Sequence, residues 1–352
     1  MQISSSIAIS SPARPIGVII PTYNRWERLF QCLQHLEAQT WKNFEVFVVD
    51  DGSTDGTRTR IENYQRSAPF PMSYLHQANS GPARARNFAI ANLNAPICLM
   101  IGDDIFPTPD FVRLHLEFHQ THPALEAVAV GLTRWSERHQ LVTPHMRWLD
   151  RDGVQFSYGD LLRGVAPSWK HFYTSNLSVK TAYLREHPFH EEFRKAGMED
   201  IELGYRLAVN HSLAMFFLPN AIAEHVHPTT FTQSCRRAVD AGAAEYLFAE
   251  LWPEHRAIRP TGLKRVLRSF ATEQRLILPI LARFTSLLSK VWCPNPLSLR
   301  VIRSFGAVGY GREAARRAGP SSAGSFSSDS RYADVCAPAP DERSGREGSS
   351  IE

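Results

Sequence analysis

Residues 44–51 read "FEVFVVDD", an apolar run that ends on two adjacent carboxylates. Residues 97–104, "ICLMIGDD", repeat the pattern and end on Asp103 and Asp104. Runs that are apolar at consecutive positions are typical of strands buried on both faces, as in a parallel sheet covered by helices. Two adjacent carboxylates repel each other and lose hydration as they approach the protein body, so we expect a cation beside them.

Two further runs, "PIGVIIPTYNR" (15–25) and "MSYLHQ" (72–77), predict more strands of the same sheet. Helices are predicted between them, the first beginning at Asn24 as its cap with Glu27 at the reciprocal position, and another within "SGPARARNFAIANL" (80–93). Alternating strands and helices indicate an α/β fold with right-handed crossovers.

Polar residues follow three of these strands: Thr22-Tyr23-Asn24, Asp50-Asp51 and Asp103-Asp104. In open α/β sheets the ligand crevice lies beyond the carboxyl ends of the strands. We therefore expect these three clusters to converge on one binding site.

The composition indicates an ordinary globular protein, with 352 residues, 43% hydrophobic and 21% charged. A net charge of +4 is too small to indicate a nucleic-acid partner. The charge is uneven, however, because residues 256–317 carry thirteen Lys and Arg against Glu273 and Glu313, which favours an anionic surface as partner. Five scattered cysteines, an N-terminus without a basic leader and the lack of a long apolar window predict a cytoplasmic protein.

Composition also predicts the domain organisation. We expect a flexible N-terminal arm (1–14), an α/β domain (15–230), a basic helical extension (231–318) and a polar, disordered tail (319–352). The extension interleaves Lys264, Arg265, Arg268, Arg275, Arg283 and Lys290 with Leu, Phe and Trp. This pattern fits either a helix lying in an anionic membrane interface or a basic helical cap packed on the α/β domain.

Six segments in this order, "VIIPTYNR", "FEVFVVDDGSTDGT", "GPARARNFAI", "CLMIGDD", "TSNLSVK" and "GMEDIELGYRL", resemble family 2 glycosyltransferases of the GT-A fold. The resemblance implies a mostly parallel central sheet with helices on both faces. It also implies an inverting, metal-dependent transfer of one sugar from a nucleotide-sugar, most plausibly a UDP-sugar, to a saccharide or lipid-linked acceptor. An inactive or regulatory nucleotide-sugar-binding module is the alternative.

The resemblance also implies roles for the residues at the strand ends. Asp104 would bind Mg²⁺ or Mn²⁺, and Asp103 would face the ribose or the metal. Asp51 would accept a hydrogen bond from the nucleotide base. The nucleotide-sugar site would also include Thr22, Tyr23 packed on the base, and Arg86 near the diphosphate.

Later segments supply the remaining candidates. By resemblance Asp200, with Glu199 beside it, is the base that deprotonates the acceptor, and the alternative is a pair of acids at a helix N-terminus. His225, or His227 in its place, would bind the metal, and Asn176 would lie near the donor sugar. Trp169 and Tyr173 offer a stacking face for an acceptor sugar, with core packing as the alternative.

Two other enzyme classes fit the sequence less well. A dinucleotide-dependent oxidoreductase would carry a G-x-G-x-x-G after the first strand, and this chain does not. Processive polysaccharide synthases carry membrane spans and a Q-x-x-R-W element. Here "QSCRR" (233–237) is a partial echo with Arg237 in place of the tryptophan, which favours transfer of one sugar per encounter.

Overall fold

The sheet predicted from the apolar runs has eight strands within residues 14–151, 155–254, 277–289 and 295–318, the parts of the chain that the computed structural model describes. The strands are β1 (Ile16–Thr22), β2 (Glu45–Asp50), β3 (Met72–His76), β4 (Ile97–Met100), β5 (Ile105–Pro107), β6 (Ala127–Trp135), β7 (Leu177–Lys180) and β8 (Ala214–His225). Their order is β3-β2-β1-β4-β7-β6-β8-β5. The first four are parallel neighbours, β7 runs antiparallel to β4 and β6, and β5 runs antiparallel to β8.

Helices cover both faces of this sheet. They are α1 (Trp26–Glu37), α2 (Thr57–Gln65), α3 (Pro82–Asn92), α4 (Phe111–Thr121), α5 (Pro144–Arg151), α6 (Tyr158–Leu162), α7 (Thr181–Glu186), α8 (Glu199–Asn210), α9 (Phe231–Leu251), α10 (Ile277–Leu288) and α11 (Asn295–Ala318). Val18 and Ile20 of β1 pack in the core that α1, α2 and α4 share, while Ile19 packs in the core on the side of α3, α7 and α8. Successive strand residues point to opposite faces, so a run that is apolar throughout needs this double cover. The predicted α/β class is confirmed.

The start of α1 differs from the prediction. Its N-cap is Arg25, and no side chain caps the helix. Asn24 instead has a positive φ of 52°, and its Oδ1 accepts a hydrogen bond from the Thr54 N–H at 2.7 Å. Glu27 accepts from Arg60 at 2.8 Å. The predicted capping is therefore wrong, because Asn24 ties the end of β1 to the loop after β2.

The C-terminal helices pack together and against the α/β domain. α9, α10 and α11 share an apolar core with Trp148 and Leu149 of α5. A side chain on Gly309 of α11 would collide with the backbone of Val239 in α9, so glycine lets these two helices approach closely. None of the described helices is both long and apolar enough to cross a bilayer. The predicted tail, nearly all of the predicted N-terminal arm, and Lys264, Arg265, Arg268, Arg275 and Lys290 lie outside the described residues.

Candidate active site

The carboxyl ends of β1, β2 and β4 meet at one edge of the sheet. The hydroxyl of Thr22, the last residue of β1, donates to Asp103 Oδ2 at 2.8 Å, and the Asp51 N–H after β2 donates to the Thr22 carbonyl at 2.9 Å. These contacts confirm the predicted convergence of the polar clusters.

Arg25 is the cation nearest the paired carboxylates. Its Nη1 lies 3.2 Å from Asp103 Oδ1 and 3.1 Å from Asp104 Oδ2, although the side chain is 43% exposed. Burial raises the pKa of Asp103 to about 6, against the lowering effect of Arg25 and with the help of the Asp104 charge. Burial would also raise the pKa of Asp104, but His225, His227 and Arg25 outweigh it and hold that pKa well below its usual range. Of the two acids, Asp104 therefore carries the persistent negative charge.

Asp104, His225 and His227 form a candidate metal centre. Antiparallel pairing of β5 with β8 sets Ile105 opposite His225, which brings the end of β8 beside Asp104. Asp104 Oδ2 lies 3.6 Å from His225 Nε2 and 3.2 Å from His227 Nδ1, and one ligand atom from each of the three lies within 4.8 Å of the others. Burial lowers the pKa of His225, which favours the neutral imidazole that binds metals. This donor set fits a divalent cation, and both histidines belong to it. Asp103 lies outside the group.

Asp51 organises the loop between β3 and α3. Its two carboxylate oxygens accept hydrogen bonds from the Gln77 amide at 2.7 Å and from the Ser80 and Gly81 N–H groups at 2.8 Å each. Gly81 has a φ of 94°, and a side chain there would collide with the Arg194 carbonyl. A carboxylate offers about four acceptor positions, so one is left for a ligand. Tyr23 stands 46% exposed at the end of β1.

The acids at the start of α8 have different surroundings. Glu199 is buried, paired with Arg86 at 3.0 Å, and accepts from the Gly197 N–H at 2.8 Å. Asp200 is half-buried, and Thr174 reaches it only at 3.4 Å through its N–H and its hydroxyl. Burial and the Glu199 charge raise the pKa of Asp200 to about 7, against the lowering effect of Arg86. Asp200 is thus the acid that can take up a proton near neutral pH.

Arg86, assigned by resemblance to the diphosphate, contacts two parts of the fold instead. Its guanidinium is buried, pairs with Glu199 and lies over the Phe189 ring at 5.6 Å from the ring centroid. Because both charges are buried, each depends on the other for compensation.

Arg86→Met is expected to lower the free energy of unfolding by about 3–5 kcal/mol, because it leaves the Glu199 charge buried without its partner. Urea unfolding measures the loss. Arg84→Met is the matched control on the same helix, since Arg84 is exposed, lies 3.9 Å from Glu191, and should change stability by less than about 0.5 kcal/mol. Unchanged stability of Arg86→Met with weakened nucleotide binding would restore the diphosphate assignment.

Two other residues predicted to contact ligands are buried in this structure. Asn176, expected near the donor sugar, is fully buried, with its amide bonded to His115 Nε2 at 2.9 Å and the Ala221 carbonyl at 3.0 Å. Tyr173, expected to stack on an acceptor, is 7% exposed and packs on Phe156, so its ring has no free face. Trp169 packs edge-on against Tyr205, and its place in an acceptor site stays a prediction.

Arg237 on α9 is a further candidate site residue, which the sequence analysis did not assign. Its side chain is exposed and makes no hydrogen bond or ion pair with the described residues. Loss of hydration beside the surrounding protein atoms lowers the pKa of Arg237. The charges of Asp104 and Glu199 raise this pKa, and the charge of Arg25 lowers it. Arg237 therefore lies within electrostatic reach of both the candidate metal centre and the acids of α8. Gln233, in the same partial motif, serves instead in the capping box of α9 with Thr230.

A cavity of about 930 Å³ is lined in part by Trp135 and by Glu224, the residue before His225, and not by the three candidate metal ligands themselves. Trp135 lines it and stacks on His225, with ring centroids 4.8 Å apart. Trp148 also lines it, and its buried indole N–H has no partner among the described residues. Arg147 in the lining pairs with Glu137 at 2.8 Å, which leaves a wall of mixed charge and aromatic surface.

Comparisons with known proteins agree with this geometry. Residues 17–175 match the sequence model of the family described as glycosyl transferase family 2. An uncharacterized glycosyltransferase of Bacillus subtilis is 31% identical, with 54% of this chain and 59% of the relative covered. Validoxylamine A glucosyltransferase of Streptomyces hygroscopicus subsp. jinggangensis is 34% identical, with 54% and 51% covered. The chain thus spans about half the length of these curated relatives.

A solved structure shows the same fold. The mannosyltransferase PcManGT from Pyrobaculum calidifontis, in complex with GDP-Man and Mn²⁺, matches with a TM-score of 0.54 at 14% identity. The match covers 86% of this chain and 87% of that one. The GT-A architecture expected from the sequence is therefore confirmed.

Proposed function

We propose that this chain, in which residues 17–175 belong to glycosyl transferase family 2, is an inverting, metal-dependent glycosyltransferase. It moves a single sugar from a nucleotide-sugar to a hydroxyl of a saccharide or lipid-linked acceptor. The enzyme acts in the cytoplasm, with peripheral contact at an anionic membrane surface.

One observation carries the proposal. Asp104 lies 3.6 Å from His225 and 3.2 Å from His227, and these three side chains could hold a metal ion. Arg237 is within electrostatic reach of Asp104 and of Glu199, the neighbour of Asp200. The pKa of Asp200 is raised to about 7. A cation-binding group and a carboxyl able to accept a proton are the two components that transfer from a nucleotide-sugar requires.

The donor binds at the carboxyl ends of β1, β2 and β4. Asp51 accepts a hydrogen bond from the base, Tyr23 packs on the base, and Thr22 holds Asp103 toward the ribose. A UDP-sugar is the proposed donor. GDP-sugars are the rival class, because the Pyrobaculum calidifontis mannosyltransferase was solved with GDP-Man.

Asp104, His225 and His227 would hold the cation. Two imidazoles beside one carboxylate favour Mn²⁺ over Mg²⁺, since Mg²⁺ is bound in proteins almost wholly through oxygen. The Mn²⁺ in the Pyrobaculum calidifontis mannosyltransferase supports this choice. When bound, such a cation neutralises charge that develops on a leaving diphosphate.

Asp200 takes the proton from the acceptor hydroxyl as the hydroxyl oxygen attacks the anomeric carbon. The bond from that carbon to the diphosphate oxygen breaks in the same displacement, so the configuration inverts. Glu199 and Arg86 do not react. They fix the start of α8. The Glu199 charge raises the pKa of Asp200, and the Arg86 charge lowers it.

The acceptor enters through the cavity beside Trp135. Sugar rings bind on aromatic faces and are oriented by a few polar groups, and this lining offers both. Because Trp135 stacks on His225, a saccharide bound there would lie next to the metal centre.

Release of nucleoside diphosphate tests the function. UDP-, GDP- and other nucleotide-sugars are incubated with the chain and a panel of saccharide acceptors, with and without Mn²⁺. We expect Mn²⁺-dependent release of UDP that an acceptor accelerates. Tight nucleotide binding without release from any donor would support the binding-module alternative instead.

Arg237, a cation near the candidate metal centre, is assigned in this proposal to the diphosphate of the donor. Arg237→Ala is expected to weaken UDP binding by roughly 10- to 100-fold, because a hydrogen bond to a charged group contributes about 1.5–3 kcal/mol. Calorimetry with UDP and Mn²⁺ measures the change. Arg237→Lys should keep part of the affinity, and Arg66→Ala, at an exposed arginine after α2, should keep all of it. Unchanged affinity in Arg237→Ala would remove this residue from the diphosphate site.

A further inference from the structure

α10 has two apolar faces, and the described parts of the chain cover only one of them. Leu278 and Ala282 are buried in the core shared with α9 and α11. On the opposite face Ile280, Phe284 and Leu287 are 66%, 54% and 66% exposed. A surface helix that only caps a domain is expected to turn polar side chains outward, and this helix does not.

These three side chains form one patch. Their spacing of four and three residues sets them on one side of the helix. The other large exposed hydrophobic side chains of the described residues are scattered among loops and other elements: Tyr23, Leu141, Leu162, Val165, Val209 and Phe216. Single exposed hydrophobic residues are common, whereas a contiguous patch marks an interaction surface.

Charge indicates which partner the patch takes. Arg283, also exposed, lies within the patch, and α11 exposes Arg300 and Arg303. Residues 256–317 as a whole carry thirteen Lys and Arg against two acids. A second copy of the chain would bring the same positive charge to the contact and be repelled, whereas a surface of anionic lipid headgroups is complementary.

We propose that the exposed face of α10 docks on the surface of an anionic lipid bilayer. Ile280, Phe284 and Leu287 insert at the level of the headgroups, and Arg283 contacts lipid phosphates. This inference rests on the proposed function, which includes peripheral contact with a membrane. It adds which surface of the protein makes that contact. It also joins the two interpretations that the sequence left open, because α10 is both packed on the protein and apolar on its outer face.

Co-sedimentation of the full chain with vesicles tests the proposal. We expect binding to phosphatidylcholine vesicles containing 25% phosphatidylglycerol, weaker binding to pure phosphatidylcholine, and loss of binding as salt screens the charges. The triple variant Ile280→Ser/Phe284→Ser/Leu287→Ser should bind at least about 10-fold more weakly, because most of the inserted apolar area is removed. Leu141→Ser is the control, since Leu141 is 83% exposed elsewhere and should bind like the wild type.

Three results would overturn the proposal. The first is no binding to anionic vesicles, and the second is equal binding of the triple variant and the wild type. The third is sedimentation velocity that shows a dimer for the wild type and a monomer for the triple variant. Thermal melting of the triple variant should match the wild type, because the substituted side chains face solvent. Nucleoside diphosphate release without lipid should also be unchanged, so failure of docking and failure of the transferase proposal give different results.

Discussion

Asp104→Asn is expected to abolish sugar transfer and to weaken Mn²⁺-dependent UDP binding by at least about 100-fold. Loss of a residue that merely supports a metal ligand costs about 10- to 100-fold in metal affinity, and Asp104 is the one carboxylate in the set with His225 and His227. An asparagine has the same size, but it lacks the charge that Asp104 keeps through its low pKa. The fold should persist, because Asp104 lies at the strand edge rather than in the apolar core.

Calorimetric titration of UDP with and without Mn²⁺ measures this effect, and circular dichroism checks the fold. Asp110→Asn is the control, because Asp110 is an exposed acid that contacts Thr40 and Arg113. We expect the control to bind Mn²⁺ and UDP like the wild type. If Asp104→Asn kept full Mn²⁺-dependent UDP binding, the metal centre would not be where we propose it.

The strands could be predicted because their signal is local. Each of β1, β2 and β4 is apolar at consecutive positions, which only a doubly covered strand explains. The start of α1 could not be predicted, because Asn24 is a good N-cap by residue type but a tertiary contact with Thr54 uses its side chain. Whether a side chain caps a helix depends on the other hydrogen-bond partners within its reach, and a sequence does not reveal those partners.

The candidate site shows the same division. Asp104 and His225 could be found from strand ends and resemblance, and the structure brings them together. Arg25 and Arg237 fall inside the quoted segments "VIIPTYNR" and "QSCRR", but neither was given a role, since most exposed arginines are simply solvated. Asn176 fitted a motif, yet its amide completes a buried network with His115, and a pattern of residue types does not reveal burial.

The acids of α8 looked interchangeable in the sequence, and their surroundings separate them. Glu199 has a buried cation and a backbone N–H as partners, so both of its carboxylate oxygens are occupied. Asp200 accepts from the Ile201 N–H at 2.8 Å and from Thr174 at 3.4 Å, but no cation of the described residues is paired with it and it has a carboxylate for a neighbour. These surroundings are why we propose Asp200 as the group that transfers the proton, and Glu199 as a residue that stabilises the fold.

Asp200→Asn is expected to lower turnover by roughly 10²–10⁴-fold, the usual effect of removing a positioned base, while UDP binding stays unchanged. Wild-type turnover should rise with pH up to about 7 and then level, because the base acts only when deprotonated and its pKa is about 7. The variant should lose this rise. Any rise that persisted would belong to another group.

As pH increases, the free energy of unfolding should fall, whereas turnover should rise. The pKa of Asp200 is raised from 3.8 to about 7, so between these values the folded state holds a proton that the unfolded state has lost. Stability therefore falls as pH increases through this range, and Asp200→Asn should melt at a higher temperature than the wild type at pH 8. Glu199→Gln is the matched comparison and should melt lower, since it leaves Arg86 buried without its charge partner. If Asp200→Asn instead lost UDP binding while Glu199→Gln lost turnover alone, the two roles would be exchanged and Glu199 would be the base.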